Sequence, residues 1–116
     1  MSKNYLSKND ELRKGDYLMS NNGQWKAVFQ DDGNFVIYGW KSTWASDTNG
    51  SDVTRLIMQA DCDLVMYNDN NQPKWATGTY KQGNHVCRLH LTDEGVLRLH
   101  QDNQEMWNST ISKGNK

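Results

Sequence analysis

No run of about 18 apolar residues occurs anywhere in this 116-residue chain, which excludes a helical membrane span. An excess of charge of one sign is also missing. Lys plus Arg number 13 against 14 Asp plus Glu, a net charge of −1, so the basic stripe of a nucleic-acid binder is absent. The opening segment Met1-Ser2-Lys3-Asn4-Tyr5-Leu6-Ser7-Lys8 has no apolar h-region, so no cleavable secretion signal is expected in it. The expectation is a cytosolic chain, a mature chain, or one exported by an unconventional route. Glycine-rich phosphate loops are lacking, and no motif sets a serine beside a base, so nucleophilic catalysis has no support and the chain reads as a non-enzyme. Asp61, Asp63 and Asp69 do not follow EF-hand order. His85, His90 and His100, with Cys87 among them, lack the paired spacing of a zinc site. No metal and no cofactor is expected.

Proline occurs once, at Pro73, and cysteine twice, at Cys62 and Cys87. The two cysteines, 25 residues apart, are compatible with one disulfide or with two buried thiols. A bridge across such a loop would stabilise by about 3 kcal/mol. Apolar residues make up 35%, so the core is thin or built from few large side chains, to which five Trp and five Tyr contribute area. The length fits one domain, residues 1–116.

Helical spacing of apolar residues is missing too. Short period-two alternations take its place, at Phe35/Ile37, Leu64/Met66 and Leu97/Leu99, and period two means strands. The chain therefore reads as all-β. It also repeats itself. Gln30 to Tyr38 reads QDDGNFVIY, Gln59 to Tyr67 reads QADCDLVMY, and Thr92 to His100 reads TDEGVLRLH. Each copy is followed by a tryptophan, Trp44, Trp75 and Trp107, spaced 31 and 32 residues apart. The tails after them match as well: Trp44-Ala45-Ser46-Asp47-Thr48, Trp75-Ala76-Thr77-Gly78-Thr79 and Trp107-Asn108-Ser109-Thr110. Three such units imply approximate threefold symmetry around a shared core, with the three tryptophans inside it. Asp32-Gly33, Asp61-Cys62 and Glu94-Gly95 mark a hairpin turn in each unit.

One side of the first unit carries Gln30, Asp32, Asn34, Val36 and Tyr38, while Phe35 and Ile37 alternate inward. Two amides, a carboxylate and a phenol can satisfy several adjacent hydroxyls of a pyranose at once, and Val36 offers apolar surface to ring carbons. Any exposed strand face shows polar alternation. Recurrence points beyond that, because a solvated face needs polarity but not the same polar residue types. Gln59, Asp61, Val65 and Tyr67 return at identical offsets.

The pattern Gln-x-Asp-x-Asn-x-Val-x-Tyr, met in full by Gln30, Asp32, Asn34, Val36 and Tyr38, resembles that of the bulb-type mannose-binding lectins of snowdrop and other monocots. The likeness runs from about Asn9 to Ser109 and is strongest to the fish skin-mucus members, of the pufflectin type. It implies a β-prism II of three four-stranded sheets, and metal-independent binding of α-D-mannose and mannose-containing glycans in shallow pockets. By that resemblance Gln30 and Asp32 would bond the 2- and 3-hydroxyls, Asn34 the 2-hydroxyl and Tyr38 the 4-hydroxyl, with Val36 against ring carbons. It also implies a Cys62–Cys87 disulfide, a homodimer formed by exchange of a C-terminal strand at about Met106 to Ile111, and a defence role in secretions or mucus. A second site, Gln59, Asp61, Asp63, Val65 and Tyr67, departs from the pattern at Asp63: an amide donor is lost, two carboxylates crowd, and binding is expected to weaken. In the third unit Thr92, Glu94, Val96, Arg98 and His100 replace every ligand type, so mannose binding is not expected there. The alternative is a β-prism interaction module with degenerate sugar sites.

Overall fold

The structure is a computed structural model that describes residues 3–116, so Met1 and Ser2 of the opening segment lie outside the described residues. The strands run β1 (Tyr5–Ser7), β2 (Glu11–Arg13), β3 (Tyr17–Met19), β4 (Lys26–Phe29), β5 (Phe35–Tyr38), β6 (Ser42–Ala45), β7 (Val53–Met58), β8 (Leu64–Asn68), β9 (Pro73–Ala76), β10 (Cys87–Leu91), β11 (Leu97–Gln101) and β12 (Gln104–Asn108). Among the described residues they form three four-stranded antiparallel sheets, ordered β3-β4-β5-β6, β2-β7-β8-β9 and β1-β10-β11-β12. This is the threefold arrangement that the repeat implies and the β-prism that the resemblance implies.

Each unit supplies only three strands to its sheet. The fourth comes from the N-terminal stretch, whose three short strands go one to each sheet: β3 pairs with β4, β2 with β7 and β1 with β10. β1 thereby completes the sheet of the last unit and closes the prism between the two ends of the chain. The repeat extends to irregularities. A register shift falls at Ile37/Tyr38, at Met66/Tyr67 and at Leu99/His100, one at the same place in every sheet. Each shift turns the residue at the motif's last position, Tyr38, Tyr67 or His100, relative to its outer-strand neighbour.

The inward set is Phe29, Phe35, Ile37, Leu56, Met58, Leu64, Met66, Leu89, Leu91, Leu97 and Leu99, all buried, together with Leu6, Leu12 and Leu18 from the N-terminal strands. A strand too short to fold alone thus anchors each sheet through a single leucine. The repeated tryptophans meet edge to face: Trp44 and Trp107 centroids are 5.9 Å apart, and Trp75 and Trp107 6.4 Å. Trp75 and Trp107 are buried, whereas Trp44 is only partly so. The C-terminal residues cap this end: Trp44 Nε1 donates to the Ser112 carbonyl (3.3 Å) and Trp75 Nε1 to the Lys113 carbonyl (2.6 Å).

Cys62 and Cys87 form a disulfide, with Cα atoms 5.3 Å apart. It ties the β7–β8 turn to the start of β10, and so one sheet to the next. Cys62 occupies the turn position held by Gly33 and Gly95 and shares their left-handed backbone, φ 73° against 87° and 82°. The last strand ends at Asn108 and pairs with β11 of its own chain, which is shorter than the Met106–Ile111 segment expected to exchange.

Candidate functional site

The first motif sits on the outer face of β5 and the turn before it. Gly33 turns the chain, its N–H donating to the Gln30 carbonyl (3.0 Å), while Gln30 N–H donates to the Asn34 carbonyl (2.8 Å). Asp32 then serves the turn as well as the surface: its Oδ1 accepts the Asn34 backbone N–H at 3.0 Å. Gln30 Nε2 donates to the same carboxylate (3.1 and 3.3 Å), and the Tyr38 hydroxyl donates to Gln30 Oε1. Tyr38, Gln30 and Asp32 are therefore linked in one chain of hydrogen bonds and held in place before any ligand arrives.

Asn34 is oriented by the tail of its own unit. Its Oδ1 accepts from Ser46 Oγ (3.1 Å) and from the Thr48 backbone N–H (3.1 Å). A backbone N–H can only donate, so the carbonyl end of the amide must face it. That leaves Nδ2 as a donor with no partner among the described residues. Ser46 and Thr48 are buried, and Thr48 Oγ1 donates onward to the Gly33 carbonyl (2.6 Å), which closes the loop under the turn. Val36, although on the outer face, is covered to 4% exposure by the side chains around it. Gln30, Asn34, Val36 and Tyr38 line an open groove of about 340 Å³ with Thr43, Trp44 and Lys113. Its lining presents amide groups, a phenol and an apolar floor, and Asp32, bonded to Gln30 and to the Asn34 N–H, stands at its margin as an acceptor carboxylate; together these are the complement of vicinal hydroxyls on a ring.

The second unit repeats the wiring of the first and adds one bond, from the Gly78 N–H. Gln59 Nε2 donates to Asp61 (3.1 and 3.3 Å), Tyr67 OH to Gln59 Oε1, and the Asp63 N–H to Asp61 Oδ1 (3.0 Å). Asp63 Oδ1 takes over the anchoring task of Asn34 Oδ1, accepting from Thr77 Oγ1 (3.1 Å), Gly78 N–H (3.0 Å) and Thr79 N–H (3.2 Å). Three donors on one oxygen offset the crowding of two carboxylates. The cost of the exchange falls outward: where Asn34 offers Nδ2, Asp63 offers Oδ2, an acceptor.

In the third unit the turn survives and the groove does not. Thr92 Oγ1 replaces the aspartate in holding the turn, accepting from Glu94 N–H (3.3 Å) and Val96 N–H (3.2 Å). Arg98, at the place of Val36, extends across the face to Glu105 (2.7 Å), and Glu105 also accepts from Asn108 Nδ2 (2.8 Å). Asn108 and Glu105 stand opposite Arg98 and His100, so this network lies over the ground that is open in the first unit. Val96 has no side-chain oxygen for the tail to hold. The tail hydroxyls of Ser46, Thr48, Thr77 and Thr79 are the residues that motif reading alone passed over; their matched spacing in the first two units, broken after Ser109 in the third, was the available signal.

No protein-family model matches the chain. It is 65% identical over 113 residues to the B-type lectin plumieribetin of Scorpaena plumieri, covering 97% of this chain and all of that one. It is 40% identical over 70 residues, 59% of its length and 49% of the other's, to a mannose-specific lectin of Narcissus tazetta. Among solved structures it superposes on a monomeric monocot mannose-binding lectin of Gastrodia elata with a TM-score of 0.84 at 29% identity, covering 92% of this chain and 96% of that one. The snowdrop mannose-specific agglutinin, solved with methyl-α-D-mannoside, gives 0.77 at 32% identity over 90% of this chain and 94% of its own. Near-complete alignment to a B-type lectin and superposition on two monocot lectins of the same β-prism II architecture make one conclusion: this chain belongs to the bulb-type, or B-type, lectin family.

Proposed function

We propose that the chain binds α-D-mannose and mannose-containing glycans without a metal, acting as a lectin and not as an enzyme, through Gln30, Asp32, Asn34, Val36 and Tyr38. The observation that carries this reading is the orientation of Asn34: a buried hydroxyl and a backbone N–H consume its oxygen and leave its amide N–H groups beside an acceptor carboxylate and a phenol. Gln59, Asp61, Asp63, Val65 and Tyr67 form the second, weaker site, short of that one donor. The experiment is binding to immobilised mannan by the parent chain, Asn34→Ala and Val96→Ala. Asn34→Ala is expected to lose about tenfold or more in affinity, the loss of a hydrogen bond and its partners' alignment; Val96→Ala is expected to bind like the parent. Equal binding by all three contradicts the assignment.

Shallow sites bind weakly, so useful avidity requires several per particle. The proposed route is a homodimer in which β12 and the residues up to Ile111 exchange between chains, each taking the partner's place on β11. Sedimentation at twice the 13.4 kDa protomer mass supports it, and a protomer mass at concentrations that agglutinate mannosylated beads contradicts it. Action in secretions or mucus, in host defence, is the accompanying proposal. The Cys62–Cys87 disulfide supports it, since such bonds persist in oxidising compartments. Detection of the chain by antibody only in cell lysates, and never in mucus, would count against it.

A further inference from the structure

The outer face of the sheet β1-β10-β11-β12 is unlike the other two. Burial of Cys87, Leu89, Leu91, Leu97 and Leu99 turns Arg88, His90, Arg98 and His100 outward, and in register Arg88 faces His100 and His90 faces Arg98. The His90 and His100 rings stack, centroids 5.2 Å apart and 21° between planes. Arg88 lies 4.5 Å from the centroid of the Tyr5 ring. Tyr5, Arg88, His90 and His100 line a groove of about 540 Å³ with Asp102 and Asn103. His100 stands where Tyr38 stands in the first unit, but the groove opens from it towards β10 and β1, away from the Arg98–Glu105 pair.

The charges of this groove are unevenly committed. Arg98 is bound to Glu105, and Lys3, also over Tyr5, is bound to Asp10 at 3.2 Å. The carboxylate of Asp102 accepts from the Val86 N–H (3.1 Å) and from His85 Nδ1 (3.0 Å). Arg88 has no carboxylate partner among the described residues. A free guanidinium beside two stacked imidazoles is an anion site whose charge grows as the imidazoles protonate. An aromatic ring and the amide of Asn103 beside it are the partners of a sugar ring and its hydroxyls.

We infer that this groove is a second glycan subsite, chemically distinct from the mannose-type grooves, which takes a sugar bearing a carboxylate or sulfate group and binds it more tightly in mildly acidic solution. The anion would lie between Arg88 and the His90–His100 pair, with the ring against Tyr5. His90 is held below the ordinary imidazole range, first by burial and then by its cationic neighbours His100, Arg98 and Arg88, against a smaller opposite pull from Glu105. From β1 it faces Tyr5, with Lys3 near that ring, and Asp102 with its partner His85 stands at the far side of the groove. The free protein thus keeps His90 neutral near pH 7. A bound anion offsets the repulsion among the cations and draws a proton onto His90.

The test is an NMR titration of the full chain with methyl α-sialoside, methyl β-glucuronide and galactose 6-sulfate at pH 5.0 and 7.5, with galactose, inorganic sulfate and polyglutamate as controls. At least one acidic sugar is expected to shift the Tyr5, His90 and His100 signals, with affinity about tenfold higher at the lower pH, as expected for attraction to one or two added charges. Which one binds shows whether carboxylate or sulfate is the partner. The bound sugar is also expected to raise the His90 titration midpoint. Arg88→Gln should abolish the response, while Asn34→Ala, which damages only the mannose-type groove, should leave it intact. Absence of shifts with every acidic sugar overturns the inference, as does equal affinity at the two pH values. Inorganic sulfate or polyglutamate binding as tightly as the best sugar overturns its glycan part.

Discussion

At the scale of single residues, one side-chain atom at the motif's third position, Asn34 Nδ2 against Asp63 Oδ2, separates the two proposed mannose sites. Asn34 and Asp63 both use Oδ1 as the fixed end of the side chain, Asp63 with one more donor from the Gly78 N–H, and they differ in what faces out. Asp63→Asn supplies the missing donor without disturbing the anchor, because the new carbonyl oxygen inherits the Thr77, Gly78 and Thr79 contacts. The variant is expected to raise the affinity of the second groove roughly fivefold to tenfold, the range of one hydrogen bond plus relief of a repulsive acceptor. Calorimetry on the Asn34→Ala background, where the second groove is observed alone, measures it. Unchanged or weaker binding would show that the Asp63 carboxylate itself contacts the sugar. The proposed ligand set was readable in the sequence because the same polar types recur at fixed offsets. The hydroxyl tail was not: Ser46 and Thr48 act from beneath, and a buried serine looks the same in a sequence as an exposed one.

Among the elements, the turns between paired strands carry the clearest contrast. Gly33 and Gly95 take a left-handed backbone freely, whereas Cys62 takes it in return for the disulfide. Removing the bond should lower stability by about 3 kcal/mol, the loop-closure contribution of a bridge of this span. The loss should be smaller, by about 1 kcal/mol, in Cys62→Gly/Cys87→Ala than in Cys62→Ala/Cys87→Ala, because glycine accepts the positive φ. Urea unfolding of the two variants decides it, and equal midpoints would contradict the account. Hairpins were legible here because period-two apolar residues flank each turn. The three N-terminal strands were not: at three residues each they show no alternation, and only the leucines Leu6, Leu12 and Leu18 betray a buried face. Trp25 was equally hidden. It lies against Gly39 and Gly95, where an added Cβ would fall 2.5 and 2.6 Å from its ring, so the two glycines are fixed by a side chain far away in sequence.

For the whole molecule, acid should destabilise the prism in two steps. His90 is harder to protonate folded than unfolded, so its contribution is present above pH 6.5 and declines as pH falls below that value. Glu11, held low first by its hydrogen bond from Arg55 across β2 and β7, and Asp10, held low first by the Ser7 N–H, contribute above the carboxylate range and lose that contribution as pH falls through it. The melting temperature should therefore drop once below pH 6.5 and again near pH 4, and His90→Gln should remove the first step alone. A single step in both proteins would contradict this. Mannose binding itself is tested by a calorimetric titration with methyl-α-mannoside, run with and without EDTA. Heat of binding is expected at millimolar sugar, unchanged by EDTA and reduced by most of its amplitude in Asn34→Ala. No heat at that concentration, or heat that EDTA removes, would contradict it.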